Sequence, residues 1–111
     1  MEGFEELLVK QEPKNVSIEF KGKEYKFKIK DLSWAKRNRI LSHCVIYQQK
    51  NVVVDMDAYY RTSLQEMIVE APWPKEKTNE ILKDINGDFG LALQQFVPQP
   101  FTDSEEGIPK N

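Results

Sequence analysis

Apolar and polar residues alternate along Val16–Ile29, VSIEFKGKEYKFKI, on both sides of Lys21-Gly22-Lys23-Glu24. A period of two broken by a glycine-bearing turn reads as a β-hairpin. With Gly22-Lys23 as a two-residue loop, one face pairs Phe20 with Tyr25, Ile18 with Phe27 and Val16 with Ile29. The other face then pairs Lys21 with Glu24 and Glu19 with Lys26, and cross-strand opposite charges favour that register. Upstream, Phe4, Leu7, Leu8 and Val9 form a short apolar patch ahead of Glu12-Pro13-Lys14. That segment reads as an arm or one short helical turn, with Pro13 as the boundary before the hairpin. Its patch can dock on the domain's own core, the plainer reading, or on another subunit.

Beyond the hairpin the apolar period lengthens. Asp31-Leu32-Ser33 offers helix N-caps, and a first helix is predicted from Trp34 to Gln49, with Trp34, Ile40, Leu41, Cys44, Val45 and Tyr47 as its apolar set. Asn51–Val54 is β-rich and reads as a brief third strand or an extended connector. Asp55 or Asp57 then caps a second helix over Met56–Glu70, where Met56, Tyr60, Leu64, Met67, Ile68 and Ala71 recur at spacings of three and four. Pro72-Trp73-Pro74 ends it. A third helix follows over Lys75–Ile85 and stops at Asn86-Gly87. Asp88 can cap a fourth over Phe89–Phe96, which Pro98-Gln99-Pro100 closes.

These elements predict an α+β fold, mostly α: an N-terminal hairpin packed on three or four short helices. The expected divisions are a flexible arm over 1–14, a single domain over 15–98 and a disordered, polar tail over 99–111. A hairpin cannot stand alone in water. Its apolar face is therefore expected on the first two helices, with packing on another copy as the alternative. A chain of 111 residues, 40% hydrophobic and 31% charged, suits one domain with a modest core. Marginal burial at this size leaves room for a partner or a homo-oligomer to contribute stability.

Charge and cysteine content narrow the field. A net charge of −2 does not announce a nucleic-acid binder. No long apolar run suggests a membrane span, and the acidic start Met1-Glu2-Gly3-Phe4-Glu5-Glu6 lacks the basic region of a signal peptide, so a cytoplasmic location is the default. Cys44 is the single cysteine, so no internal disulfide forms. Asymmetry is nonetheless present, because Lys21, Lys23, Lys26, Lys28, Lys30, Lys36, Arg37 and Arg39 fall in one stretch against Glu24 and Asp31. Lys26, Lys28 and Lys30 share one face of the second strand, and with Lys36, Arg37 and Arg39 they define a candidate basic surface. Lysines that protect an edge strand, and a solvated helix face, account for them more plainly. No aromatic residue lies on the basic face to stack a base.

Catalytic chemistry finds little to work with. His43 adjoins Cys44, but neighbouring helical residues diverge, and no second His or Cys completes a zinc site. Asp55 and Asp57 flank a helix start and read as caps. Asp84–Asp88 lacks the ordered oxygen ligands and closing glutamate of a calcium loop. There is no glycine-rich phosphate loop and no Gly-x-Ser-x-Gly elbow. Catalytic, metal and cofactor sites are accordingly expected to be absent. Trp73, held between two prolines, reads as a cap on the core or as an anchor for a partner.

The order Lys21-Gly22-Lys23-Glu24-Tyr25, then Asp31-Leu32-Ser33-Trp34 entering a helix, then Glu70-Ala71-Pro72-Trp73 and a helix ending at Val97-Pro98, resembles the tail assembly chaperones of tailed phages and proviruses. The likeness spans about residues 16–98. It implies a non-enzymatic protein of the host-cell cytoplasm. Such a protein binds and solubilises a helical tape-measure protein and helps recruit tail-tube subunits during virion assembly. It further implies partner contacts through exposed apolar residues, here Phe4, Leu7, Leu8, Trp73 and Phe101. The competing reading is a small nucleic-acid-binding or regulatory module working through the Lys21–Arg39 surface.

Overall fold

The structure, a computed structural model, describes residues 3–10 and 12–99. After a single 3-10 turn at Glu5–Leu7, strands β1 (Lys14–Phe20) and β2 (Lys23–Ile29) form the expected hairpin. Helix α1 (Trp34–Ser42) leads into strands β3 (Val45–Gln48) and β4 (Asn51–Val54). Helix α2 (Met56–Met67) runs directly into strand β5 (Ile68–Glu70), and helices α3 (Thr78–Asp84) and α4 (Gly87–Gln94) complete the order. The expected tail beyond Gln99 lies outside the described residues.

Among the described residues, five strands in two antiparallel sheets, ordered β1-β2-β5 and β3-β4, overturn the mostly-α expectation. The fold is a small α+β domain with substantial sheet. Strands β3 and β5 came from segments expected to be helical, whereas β4 matches the brief third strand expected over Asn51–Val54. The first helix stops at Ser42 because Ser42 Oγ donates to the Arg39 carbonyl at 2.9 Å and the His43 ring nitrogen Nδ1 lies 2.8 Å from the same oxygen. Side chains that fold back on the last turn compete with helix continuation. The β-branched and aromatic Val45-Ile46-Tyr47 then extends as strand. Likewise Ile68-Val69-Glu70 leaves α2 to pair with β2, where Ile29 meets Ile68 and Lys28 meets Glu70. The Lys30 amide donates to the Met67 carbonyl at 2.9 Å and ties the junction.

The β1–β2 register also differs from expectation. Ile18 pairs with Tyr25, Val16 with Phe27 and Lys14 with Ile29. The turn is Lys21-Gly22, with φ of 52° and 80°. Positive φ at both central positions is the type I′ pattern, whose twist matches the strands, and glycine takes its second position at no steric cost. A two-residue slip leaves every side chain on its face. The apolar face therefore stands as expected, while the expected charge pairs do not form: Glu19 lies opposite Glu24 and Ser17 opposite Lys26.

That apolar face is internal, with Ile18, Phe27 and Ile29 buried. Its cover is α4 and the Trp73 loop rather than the first two helices. The Phe89 ring meets Phe20 and Tyr25 edge-on, with centroids 5.5 and 5.3 Å away, and Trp73 meets Phe27 at 5.4 Å. Edge-to-face pairs add to the area they bury. Helix α2 supplies the other half of the core through Tyr59, Leu64 and Met67, joined by Leu82, Leu93 and Val97.

Caps fix the helix starts. Ser33 Oγ accepts from the Lys36 amide at 3.1 Å, and Asp55 Oδ1 accepts from Ala58 at 3.1 Å. Asn86, expected to stop α3, instead caps α4 by accepting from Asp88 and Phe89 at 2.8 and 3.1 Å. Trp34, assigned to the core of α1 from the sequence, is 77% exposed.

Candidate partner-binding groove

Two consequences of this packing shape the surface. The hairpin tip carries Phe20 and Tyr25 to the start of α4, and Pro72 turns the chain so that Trp73 lies against Phe27. Between them opens an apolar groove of about 330 Å³, walled by Phe20, Tyr25, Pro72, Trp73, Ile81 and Ile85 over Phe89. Trp73 is oriented by its indole N–H, which donates to the buried Thr78 hydroxyl at 3.0 Å. Two ammonium groups stand against rings of the groove wall, Lys21 Nζ 5.4 Å from the Phe20 centroid and Lys23 Nζ 5.2 Å from that of Tyr25. Cations over ring faces are held by the ring quadrupole. The groove thus offers apolar walls, two of whose rings carry an exposed ammonium group against them.

The other residues singled out from the sequence are distributed differently. Leu7 and Leu8 are 81% and 59% exposed, so they do not dock on the core. They border a shallow, open pocket of about 590 Å³ with Leu32, Met67, Phe96 and Pro98, well separated in lining from the Trp73 groove. Phe4 is exposed and lines neither. Phe101 lies outside the described residues.

The candidate basic surface is partly compensated. Lys28 Nζ lies 3.8 Å from Glu70 and Lys36 Nζ 3.5 Å from Glu66. Arg37 donates to the Gln99 carbonyl at 3.1 Å. Lys26 and Lys28 flank a polar groove on the outer face of the sheet, bordered also by Glu24 and Glu70. Arg39 is exposed on α1, and Lys30 is half-buried.

Among the described residues no group of three or more His, Cys, Asp or Glu side chains is placed to hold a metal ion. Among them, too, no helix is long and apolar enough to cross a membrane. His43 is exposed and Cys44 buried, so the two occupy different environments. Burial, reinforced by the charge of Asp55, pushes the Cys44 thiol above its usual range. A buried thiol that resists ionisation is a poor nucleophile. Labelling by a thiol-specific disulfide reagent is therefore expected to be at least tenfold slower in the native protein than in denaturant. Equal rates would show that the α1–β3 junction opens freely.

Sequence reasoning placed Phe20 and Tyr25 on the inward face of the hairpin and did not see that they border an opening. It also missed Ile46, Tyr47, Val52 and Val53 as exposed apolar residues, because it ran α1 through the first two. The β-branched runs on either side of Gln49-Lys50 carried the signal. No family model, curated protein or solved structure matches the chain.

Proposed function

We propose that the chain is a non-enzymatic binding protein of the tail assembly chaperone kind. It receives apolar side chains of a helical, tape-measure-like partner in the groove at Trp73 and helps recruit tail-tube subunits to it. The observation that carries this reading is the groove itself: aromatic walls packed on the core, open to solvent, with Lys21 and Lys23 against the Phe20 and Tyr25 rings. A helix laid into such a groove buries one apolar stripe, and acidic residues beside the stripe would meet the lysines. Release follows when tube subunits cover the same stripe. The likeness in the order of sequence features supports the choice of partner.

The test is co-expression of the tagged protein with the products of its neighbouring genes, followed by washes at low and high salt. A long helical protein that survives high salt is expected, because apolar contacts are screened little. Ile81→Arg places a charge in the half-buried groove wall and is expected to reduce recovery at least tenfold while circular dichroism stays unchanged. Nucleic acid that washes off with salt would overturn the reading in favour of the basic surface. So would a helical partner retained fully by the Ile81→Arg protein.

A further inference from the structure

Among the described residues the β3–β4 hairpin forms a two-stranded sheet of its own, packed on the core at its base through Val54 and otherwise with only fringe contacts to other elements. Tyr47 is 79% and Val52 64% exposed on one face, and Ile46 and Val53 are exposed on the other. A two-stranded ribbon is at best marginal in water without a third strand or a packed face.

Its edges are also unguarded. The edge strands of the other sheet carry charge, Lys14 and Glu19 on β1 and Glu70 on β5, with the lysines of β2 on its central strand rather than at an edge, whereas Val45–Gln48 and Asn51–Val54 contain no charge and no proline. Charged residues and proline are the usual means of blunting an edge. The register shows which backbone groups the hairpin itself leaves unpaired. The two-residue Gln49-Lys50 turn makes Gln48 with Asn51, and Ile46 with Val53, the hydrogen-bonded pairs. The Asp55 amide donating to the Cys44 carbonyl at 2.7 Å continues the same alternation. The N–H and C=O groups of Val52 and Val54 therefore face outward from β4.

We propose that β4 is a pairing edge for β4 of a second copy, antiparallel about a two-fold axis at Val53. Val52 of each copy then exchanges both backbone bonds with Val54 of the other, and the two Val53 residues face each other as the non-hydrogen-bonded pair. Every outward group in the strand is satisfied, in a contact that closes at two copies. Self-pairing brings identical residues together, so any charge on the strand would repel its mate; this strand has none. Three β-branched residues suit the pleated surface. An edge this short buries less than the ~1,200 Å² of a standard interface, so the dimer is weak and forms as concentration rises.

Sedimentation of the full chain from micromolar to millimolar concentration tests this. The mass is expected to climb from monomer towards dimer, and amide exchange at Val52 and Val54 to slow in step. Val52→Pro removes one outward N–H and none of the hairpin's own, and is expected to leave a monomer at every concentration. Val52→Lys is expected to do the same by repulsion, and it decides the matter if the proline variant loses protection at Ile46 and Val53. Tyr47→Pro blocks the opposite edge and is expected to dimerise as the wild type does. A wild type that remains monomeric overturns the proposal. So does a dimer that survives Val52→Lys, assembly beyond two copies, or loss of pairing in Tyr47→Pro alone.

Discussion

Phe27→Ala is expected to cost roughly 3–5 kcal/mol of folding stability, the range for emptying an aromatic site in a packed core. Phe27 is 2% exposed at the middle of the central strand, between Trp73 at 5.4 Å and Phe89 at 6.2 Å. Three separate pieces of the chain, the hairpin, the Pro72-Trp73-Pro74 loop and α4, meet at that ring. None of them can close over the space by itself, so relaxation recovers little of the loss. Small domains have about 5–15 kcal/mol in total, so the variant should unfold at a much lower urea midpoint. Phe27→Leu keeps most of the apolar volume and should cost clearly less. A loss below about 1 kcal/mol for the alanine variant would mean that the hairpin face is not packed on α4 as described.

The same residues show how far the sequence could be read. Alternation fixes a face, and so Ile18, Phe27 and Ile29 were legible as core. Alternation cannot fix a register to better than two residues, because a slip of two preserves the face. The opposite-charge pairs pointed to a Gly22-Lys23 loop, whereas the backbone places Gly22 second in the turn, at φ 80°. Exposed charge pairs are worth too little to resist that preference. Helix ends failed for a related reason. Val45-Ile46-Tyr47 and Ile68-Val69-Glu70 follow amphipathic helices without glycine or proline at the junction, so the helical period carries past its true end. What converts them to strand is tertiary: a partner strand for each, β4 in one case and β2 in the other. The groove at Trp73 was illegible for the same cause. Its walls come from four separate segments, and only the packing of α4 across the hairpin brings them together.

Tyr59 carries the second large effect, and it separates burial from hydrogen bonding. The ring is fully buried on α2, and its hydroxyl donates to the Pro98 carbonyl at 2.6 Å. Beside it, Tyr60 donates to the Gln99 side chain at 2.9 Å and Arg37 to the Gln99 carbonyl at 3.1 Å, so α1 and α2 together hold the chain as it leaves α4. Tyr59→Ala is expected to cost roughly 3–5 kcal/mol by cavity formation. Tyr59→Phe keeps the ring and strands the carbonyl, for about 1–3 kcal/mol. The two variants should also differ from the wild type in alkali. Burial, offset in part by the Arg37 charge, pushes the Tyr59 phenol above its usual value of 10.0. The folded protein therefore holds this proton more tightly than the unfolded chain does. Its contribution is complete below pH 10.0 and is lost as pH rises through the raised value. Urea midpoints measured from neutral pH into that window should fall more steeply for the wild type than for Tyr59→Phe. Parallel curves would show that the phenol reaches solvent, and that the segment at Pro98 is held by Arg37 and Tyr60 instead.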